Sequence, residues 1–129
     1  MTILQKTLRI LVVDDDSDHA SSLATLLTEY GYESHVCLHA RDCMEAVERL
    51  RPHVILLDIG MPGMTGFDIA DELRRTPDLR PARLVAVTGH GQELDRVQTK
   101  LRGFDHHLLK PIDFQELEAI VRSVEVQSE

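Results

Sequence analysis

Four sets of residues have the types and positions needed to do chemistry together. Asp14 and Asp15 follow the run Ile10 to Val13, Asp58 follows Val54 to Leu57, Thr88 follows Leu84 to Val87, and Lys110 follows the segment His106 to Leu109. The first three runs are short enough for strands and too continuous for half-exposed ones, so they read as strands covered on both faces. Polar groups placed directly after such strands collect at the carboxyl edge of an open α/β sheet, where ligands bind. Carboxylates about 4 Å apart at an effective dielectric near 20 repel by roughly 4 kcal/mol, so a cluster of Asp14, Asp15 and Asp58 shares a proton or binds a cation. Oxygen-only donors favour Mg2+, and Mn2+ can substitute. An aspartate beside a cation, a lysine and a hydroxyl has the parts to accept a phosphoryl group. Asp58 would attack in line while Lys110 and Thr88 each bind a phosphoryl oxygen.

The elements that must position these groups alternate along the chain. Strand one, Arg9 to Val13, leads to a helix capped by Asp16 or Ser17, with Leu23, Leu26, Leu27 and Tyr30 toward the core and Gly31 as its stop. Glu33 to Leu38 alternates with a period of two and suits a sheet edge. A second helix spans Ala40 to Leu50, with Ala40, Cys43, Val47 and Leu50 inward, and Pro52 ends it. After Asp58, the residues Gly60, Pro62, Gly63 and Gly66 make an irregular loop, so Asp58 is expected to be displayed rather than buried. Thr65 can cap a helix carrying Phe67, Ile69, Ala70 and Leu73, which the prolines of Thr76 to Pro81 terminate. Gln92 to Leu101 places Leu94, Val97 and Leu101 on one helical face, with Gly103 as its stop. Asp113 and Glu116 have capping-box spacing for a last helix with Leu117, Ile120, Val121 and Val124 inward. Five strands alternating with five helices call for a parallel sheet covered on both faces by right-handed crossovers.

Composition excludes several classes. At 129 residues and 43% apolar content the chain reads as one domain over residues 1–129, with no output domain expected after about Ser123. A net charge of -8 without a basic stripe argues against unspecific nucleic-acid binding. The start of the chain has no signal pattern and no apolar stretch is long enough to span a bilayer, so no membrane partner and a cytoplasmic location are expected. Cys37 and Cys43 lack a redox spacing. His35, Cys37, His39 and Cys43 are soft ligands near one edge, but incidental edge-strand histidines explain them better than zinc. Met61 and Met64 are expected to shape the loop or pack beneath it.

The segments ILVVDDD at Ile10 to Asp16, ILLDIGMPGMTG at Ile55 to Gly66, VTG at Val87 to Gly89 and LKP at Leu109 to Pro111 together resemble the response-regulator receiver domain of two-component signalling, over nearly the whole chain. The resemblance implies a flavodoxin-like, doubly wound, five-stranded parallel sheet of order 2-1-3-4-5. It also implies Asp58 as phosphoacceptor, and Asp14 and Asp15 as the acidic pair that holds Mg2+, with Asp15 the more direct ligand and the Gly60 backbone carbonyl another. Thr88 matches the switch hydroxyl, Lys110 the phosphate-binding lysine, and Lys110 to Pro111 the family's cis peptide. His107 falls where the family usually has a rotating Tyr or Phe, while a partly buried strand histidine is the plainer reading of it. Gly60, Gly89 and His90 line the implied phosphoryl pocket, where Gly60 leaves room for water and His90 can order or obstruct it.

By the same resemblance, a histidine kinase or a histidine phosphotransfer protein donates the phosphoryl group. A downstream protein target then reads the face of the fourth helix, fifth strand and fifth helix. Catalysis is limited to self-phosphorylation from small donors and self-dephosphorylation. The stretch Val87 to Asp113 is similar to receivers fused to hybrid kinases, so a relay role stays open beside a free-standing one. Two other readings remain: a haloacid-dehalogenase-like phosphohydrolase using Asp14, Asp16, Thr88 and Lys110, and a phosphorylation-independent interaction module. The first explains neither Asp58 nor its loop.

Overall fold

Alternating apolar strands and one-sided helices pack as a sheet between two helical layers. The computed structural model describes residues 7–61, 66–79, 81–89 and 103–128. Its strands are β1 (Arg9–Val13), β2 (Glu33–Cys37), β3 (Val54–Asp58), β4 (Arg83–Thr88) and β5 (His106–Leu109). They pair in parallel in the order β2-β1-β3-β4-β5. The helices among the described residues are α1 (Ser17–Glu29), α2 (Cys43–Leu50), α3 (Gly66–Arg75) and α4 (Phe114–Ser128). The helix expected over 92–101 lies outside the described residues, as do Thr65, Met64 and His90.

Successive strand residues point to opposite faces, which divides the core in two. Leu11, Val13, Ile55, Leu57, Leu84 and Ala86 pack with Cys43 and Val47 of α2 and Ile69 and Leu73 of α3. Ile10, Val12, Val54, Leu56, Val85 and Val87 pack with Leu23 and Leu27 of α1 and Leu117 and Val121 of α4. Each fully buried Leu or Ile contributes roughly 1.5–3 kcal/mol, so the sheet is fixed from both sides. β3, buried along its whole length, is its centre.

Local devices set the entries and exits. Asp16 caps α1, its Oδ1 accepting the His19 N–H at 3.2 Å. Gly66, the first residue of α3, lies so close to β3's exit that a Cβ there would meet Ile59 Cδ1 at 2.8 Å and Ile59 Cα at 3.2 Å. Arg74 donates to Gly103 O and Ala82 O and pairs with Asp105 at 2.9 Å, tying α3 to the entrances of β4 and β5.

Several expectations are corrected. Tyr30 is 53% exposed rather than core, because α1 ends at Glu29 and Gly31, at φ 96°, turns the chain away. Its ring rests 4.6 Å from that of Phe114 instead. The second helix starts as a 3-10 turn, Ala40–Asp42, and becomes α-helical only from Cys43. Leu38 lies beyond the end of β2. At this sheet edge His35 pairs with Glu33 and the Cys37 thiol donates to His39 O.

Candidate functional site

The strand register brings the polar residues to one edge. Val13 pairs with Leu57, Asp58 with Val87 and Thr88 with Leu109, so the ends of β1, β3, β4 and β5 finish level. Asp58 and Thr88 are the last residues of their strands and are buried, at 7% and 0% exposure. The expectation that Asp58 is displayed is therefore wrong. Its Oδ1 accepts the Gly60 N–H at 2.9 Å and its Oδ2 accepts from Lys110 Nζ at 3.1 Å, so the loop folds back over the carboxylate. Met61 is buried in the core.

Asp14 is also buried, while Asp15 is exposed. Asp14 Oδ1 accepts the Asp16 N–H at 3.0 Å, and its Oδ2 receives His19 Nδ1 at 2.8 Å and Lys110 Nζ at 3.3 Å. Burial works against the charge on Asp14, but the Asp16 N–H, His19 and Lys110 outweigh it and hold the carboxyl below its ordinary range. Burial likewise works against the Lys110 ammonium, and Asp58 and Asp14 outweigh it, raising the lysine above its usual value. Oxygens of Asp14, Asp15 and Asp58 lie within 4.8 Å of one another. This oxygen-only donor set fits a hard divalent cation such as Mg2+, which takes one or two carboxylates and keeps waters.

Thr88 is engaged away from the carboxylates. Its Oγ1 lies 2.8 Å from His107 Nε2, and its carbonyl accepts the Lys110 N–H at 2.7 Å. The register explains the first contact: His107 pairs with Ala86, two residues before Thr88 on the same sheet face, and the small Ala86 leaves the imidazole room to reach diagonally. His106 has its pKa lowered, chiefly by burial. The Lys110–Pro111 peptide is cis. Gly60 is exposed and Gly89 half-buried, with nothing within 4 Å of where a Gly89 Cβ would be.

His19 was missed from sequence. The available signal was the cap: with Asp16 starting α1, His19 falls in the first helical turn, above Asp14. Because a carboxylate only accepts, Nδ1 of His19 is the donor. The phosphohydrolase reading loses a part here, since the exposed Asp16 is spent on the cap.

The order 2-1-3-4-5 with an acidic ligand edge defines the class as an open, doubly wound α/β domain. The family model for the response regulator receiver domain matches residues 10–122, and the chain belongs to that family. Receiver domains are signalling modules of two-component systems, not enzymes in the ordinary sense, and bind Mg2+ in an acidic pocket. The chain is 34% identical over 113 residues to the 14.6 kDa protein from the sodA1 3' region of Leptolyngbya boryana, covering 88% of this chain and 86% of that one. It is 36% identical over 115 residues to the DNA-binding response regulator MtrA of Mycobacterium tuberculosis, covering 89% of this chain and 49% of MtrA. The chain thus spans about half the length of MtrA and of the matching ycf27 regulators of Pyropia yezoensis and Porphyra purpurea. Among solved structures, the receiver domain of Francisella response regulator 1452 matches with a TM-score of 0.84 at 21% identity, covering 95% of this chain and 100% of that one. Chemotaxis protein CheY4 of Vibrio cholerae matches with a TM-score of 0.82 at 23% identity, covering 92% and 99%. Both share the fold. Among the described residues no helix is long and apolar enough to cross a membrane.

Proposed function

We propose that this chain is the phosphoacceptor of a two-component or phosphorelay system, with Asp58 as the residue modified. One observation carries the reading: Lys110 Nζ stands 3.1 Å from Asp58 Oδ2 while oxygens of Asp14 and Asp15 lie within 4.8 Å of the same carboxylate. An Asp58 oxygen attacks the phosphorus of a phosphohistidine on a histidine kinase or histidine phosphotransfer protein. The P–N bond breaks, its electron pair returns to the imidazole, and an acyl phosphate forms on Asp58. Lys110 moves its ammonium from the carboxylate to a phosphoryl oxygen. Asp14, Asp15 and the Gly60 carbonyl would hold Mg2+, which would supply charge neutralisation for the phosphoryl group.

The same event has a readout. The Thr88 hydroxyl exchanges His107 for a phosphoryl oxygen, and His107 reorients on β5, altering the face of β5 and α4 that a downstream protein target reads. Gly60 and Gly89 admit the water that hydrolyses the acyl phosphate. The receiver is the sole domain of residues 1–129 and works in the cytoplasm.

Incubation with acetyl phosphate and Mg2+ tests the assignment by intact mass. One phosphoryl group per chain is expected, sensitive to hydroxylamine and absent in Asp58→Asn. Undiminished labelling of Asp58→Asn would refute it, and tight partner binding indifferent to phosphorylation would favour the interaction-module reading.

A further inference from the structure

Three of the four strands that end at the acidic site have a basic residue at or just before their start. Arg9 opens β1, Arg83 opens β4, and His53 immediately precedes β3. Together with Arg51 they line a cleft of about 350 Å³ at the amino edge of the sheet. Val47, Leu79, Ala82 and Val124, all buried, form its apolar wall. Among its described lining residues three arginines face a single carboxylate, Asp78, in a chain whose net charge is -8. The described lining is therefore net basic in a chain whose overall charge is negative.

The cationic groups are held in place. Arg9 Nε donates to Leu50 O at 2.9 Å and Arg51 O at 3.1 Å, and its Nη2 donates to Arg51 O at 2.8 Å. The Arg9 N–H donates to His53 Nδ1 at 3.0 Å, which fixes the imidazole proton on Nε2 as a further donor. Arg51 ends α2 in the left-handed region at φ 50°, a conformation that a side chain bearing Cβ rarely adopts. Its own Nε donates to Glu48 O, so the strained turn is braced from both sides.

We propose that this cleft binds a small organic anion: a phosphate or carboxylate met by Arg51 and Arg83, on an aromatic or aliphatic body covered by the Val47–Val124 wall. A guanidinium matches either oxyanion with paired hydrogen bonds. The volume lies at the lower end of small-molecule sites, which suits a mononucleotide or an aryl phosphate. The cleft is separated from Asp58 by the length of β3, roughly 16 Å at about 3.3 Å per residue, so an occupant there does not compete with the phosphoacceptor chemistry.

Isotope-labelled protein is titrated at low chloride with AMP, with phenyl phosphate and, as the neutral control, with adenosine, following backbone amides. Saturable shifts of Arg9, His53, Arg83 and Val124 are expected with at least one of the two anions. Adenosine and inorganic phosphate should each bind at least about tenfold more weakly than that anion. Arg51→Gln and Arg83→Gln should each weaken it about tenfold while keeping a folded amide spectrum. The proposal is overturned if neither anion gives a saturable shift at about 10 mM, well above the Kd of a specific weak ligand. Shifts confined to the Asp58 edge, undiminished binding in the Arg51→Gln, Arg83→Gln double variant, or equal affinity for adenosine would each overturn it too.

Discussion

Replacing Lys110 with methionine keeps most of the stem and removes an ammonium that stands 3.1 Å from Asp58 Oδ2 and 3.3 Å from Asp14 Oδ2. At an effective dielectric near 20, charges at such distances attract by about 5 kcal/mol per carboxylate before desolvation is counted. The lysine side chain retains 28% exposure, so solvent screening cuts that figure heavily. Protonation sets a ceiling: without Lys110, one carboxylate can escape the repulsion by taking up a proton at pH 7, at a cost of about 4 kcal/mol from an ordinary carboxylate pKa. Loss of a charged hydrogen bond sets a floor of about 1.5 kcal/mol. Lys110→Met should therefore lose about 2–4 kcal/mol at pH 7 without divalent cation.

The pH dependence has a definite sign. Asp14 is held below its ordinary range, so its contribution is present above that range and lost as pH falls through its folded value. Lys110 is raised, so its contribution is present below the usual lysine value and lost as pH rises through its folded value. The deficit of Lys110→Met should be widest between about pH 5 and pH 10 and narrow on either side. Urea unfolding of both proteins at acidic, neutral and alkaline pH, with and without Mg2+, measures it. Saturating Mg2+ should recover more than half of the deficit, since another cation then faces the carboxylates. An equal deficit at every pH and in Mg2+ would mean that Lys110 acts only through its apolar stem, and the electrostatic account would be wrong.

Three further outcomes are expected. Asp15 is exposed, so Asp15→Asn should change metal-free stability by less than about 0.5 kcal/mol, yet abolish the roughly 1.4 kcal/mol that Mg2+ at ten times its Kd gives the wild type in urea unfolding. Thr88→Val should cost about 1–2 kcal/mol in the same assay by stripping His107 of a buried hydroxyl partner, with Thr88→Ser costing less. Burial pushes the Cys43 thiol up to about 12 and also raises Cys37, so iodoacetamide at mildly alkaline pH should alkylate neither in the folded protein and both in denaturant, as read by mass.

What the sequence made legible was everything that depends on local order. Apolar runs ending in Asp58, Thr88 and Lys110 announce strand ends, and the alternation of strands and helices dictates a parallel sheet, so the ligand edge follows. What escaped depends on residues far apart or on one bond. Loop composition shows that a turn follows Asp58, but only the bond from Gly60 N–H to Asp58 Oδ1 turns display into burial. His107 reaches Thr88 through the β4–β5 register, and nothing within either strand encodes that register. The basic cleft needs Arg9, His53 and Arg83 side by side, and they are brought together only by the sheet order. Tyr30 kept the helical spacing of its neighbours, yet the spacing ran one residue past the turn that Gly31 imposes.

Among the described residues, carboxylates gather at one edge of the sheet and guanidiniums at the other, which sets an axis of charge along the strands. Such an axis acts before contact, because a macromolecule diffusing within a Debye length, about 8 Å at physiological ionic strength, feels a torque as well as an attraction. A partner with a basic docking face therefore meets the Asp58 edge first, and its rate of productive encounter falls as salt rises. Its search is narrowed from a sphere of orientations to a cone around one axis.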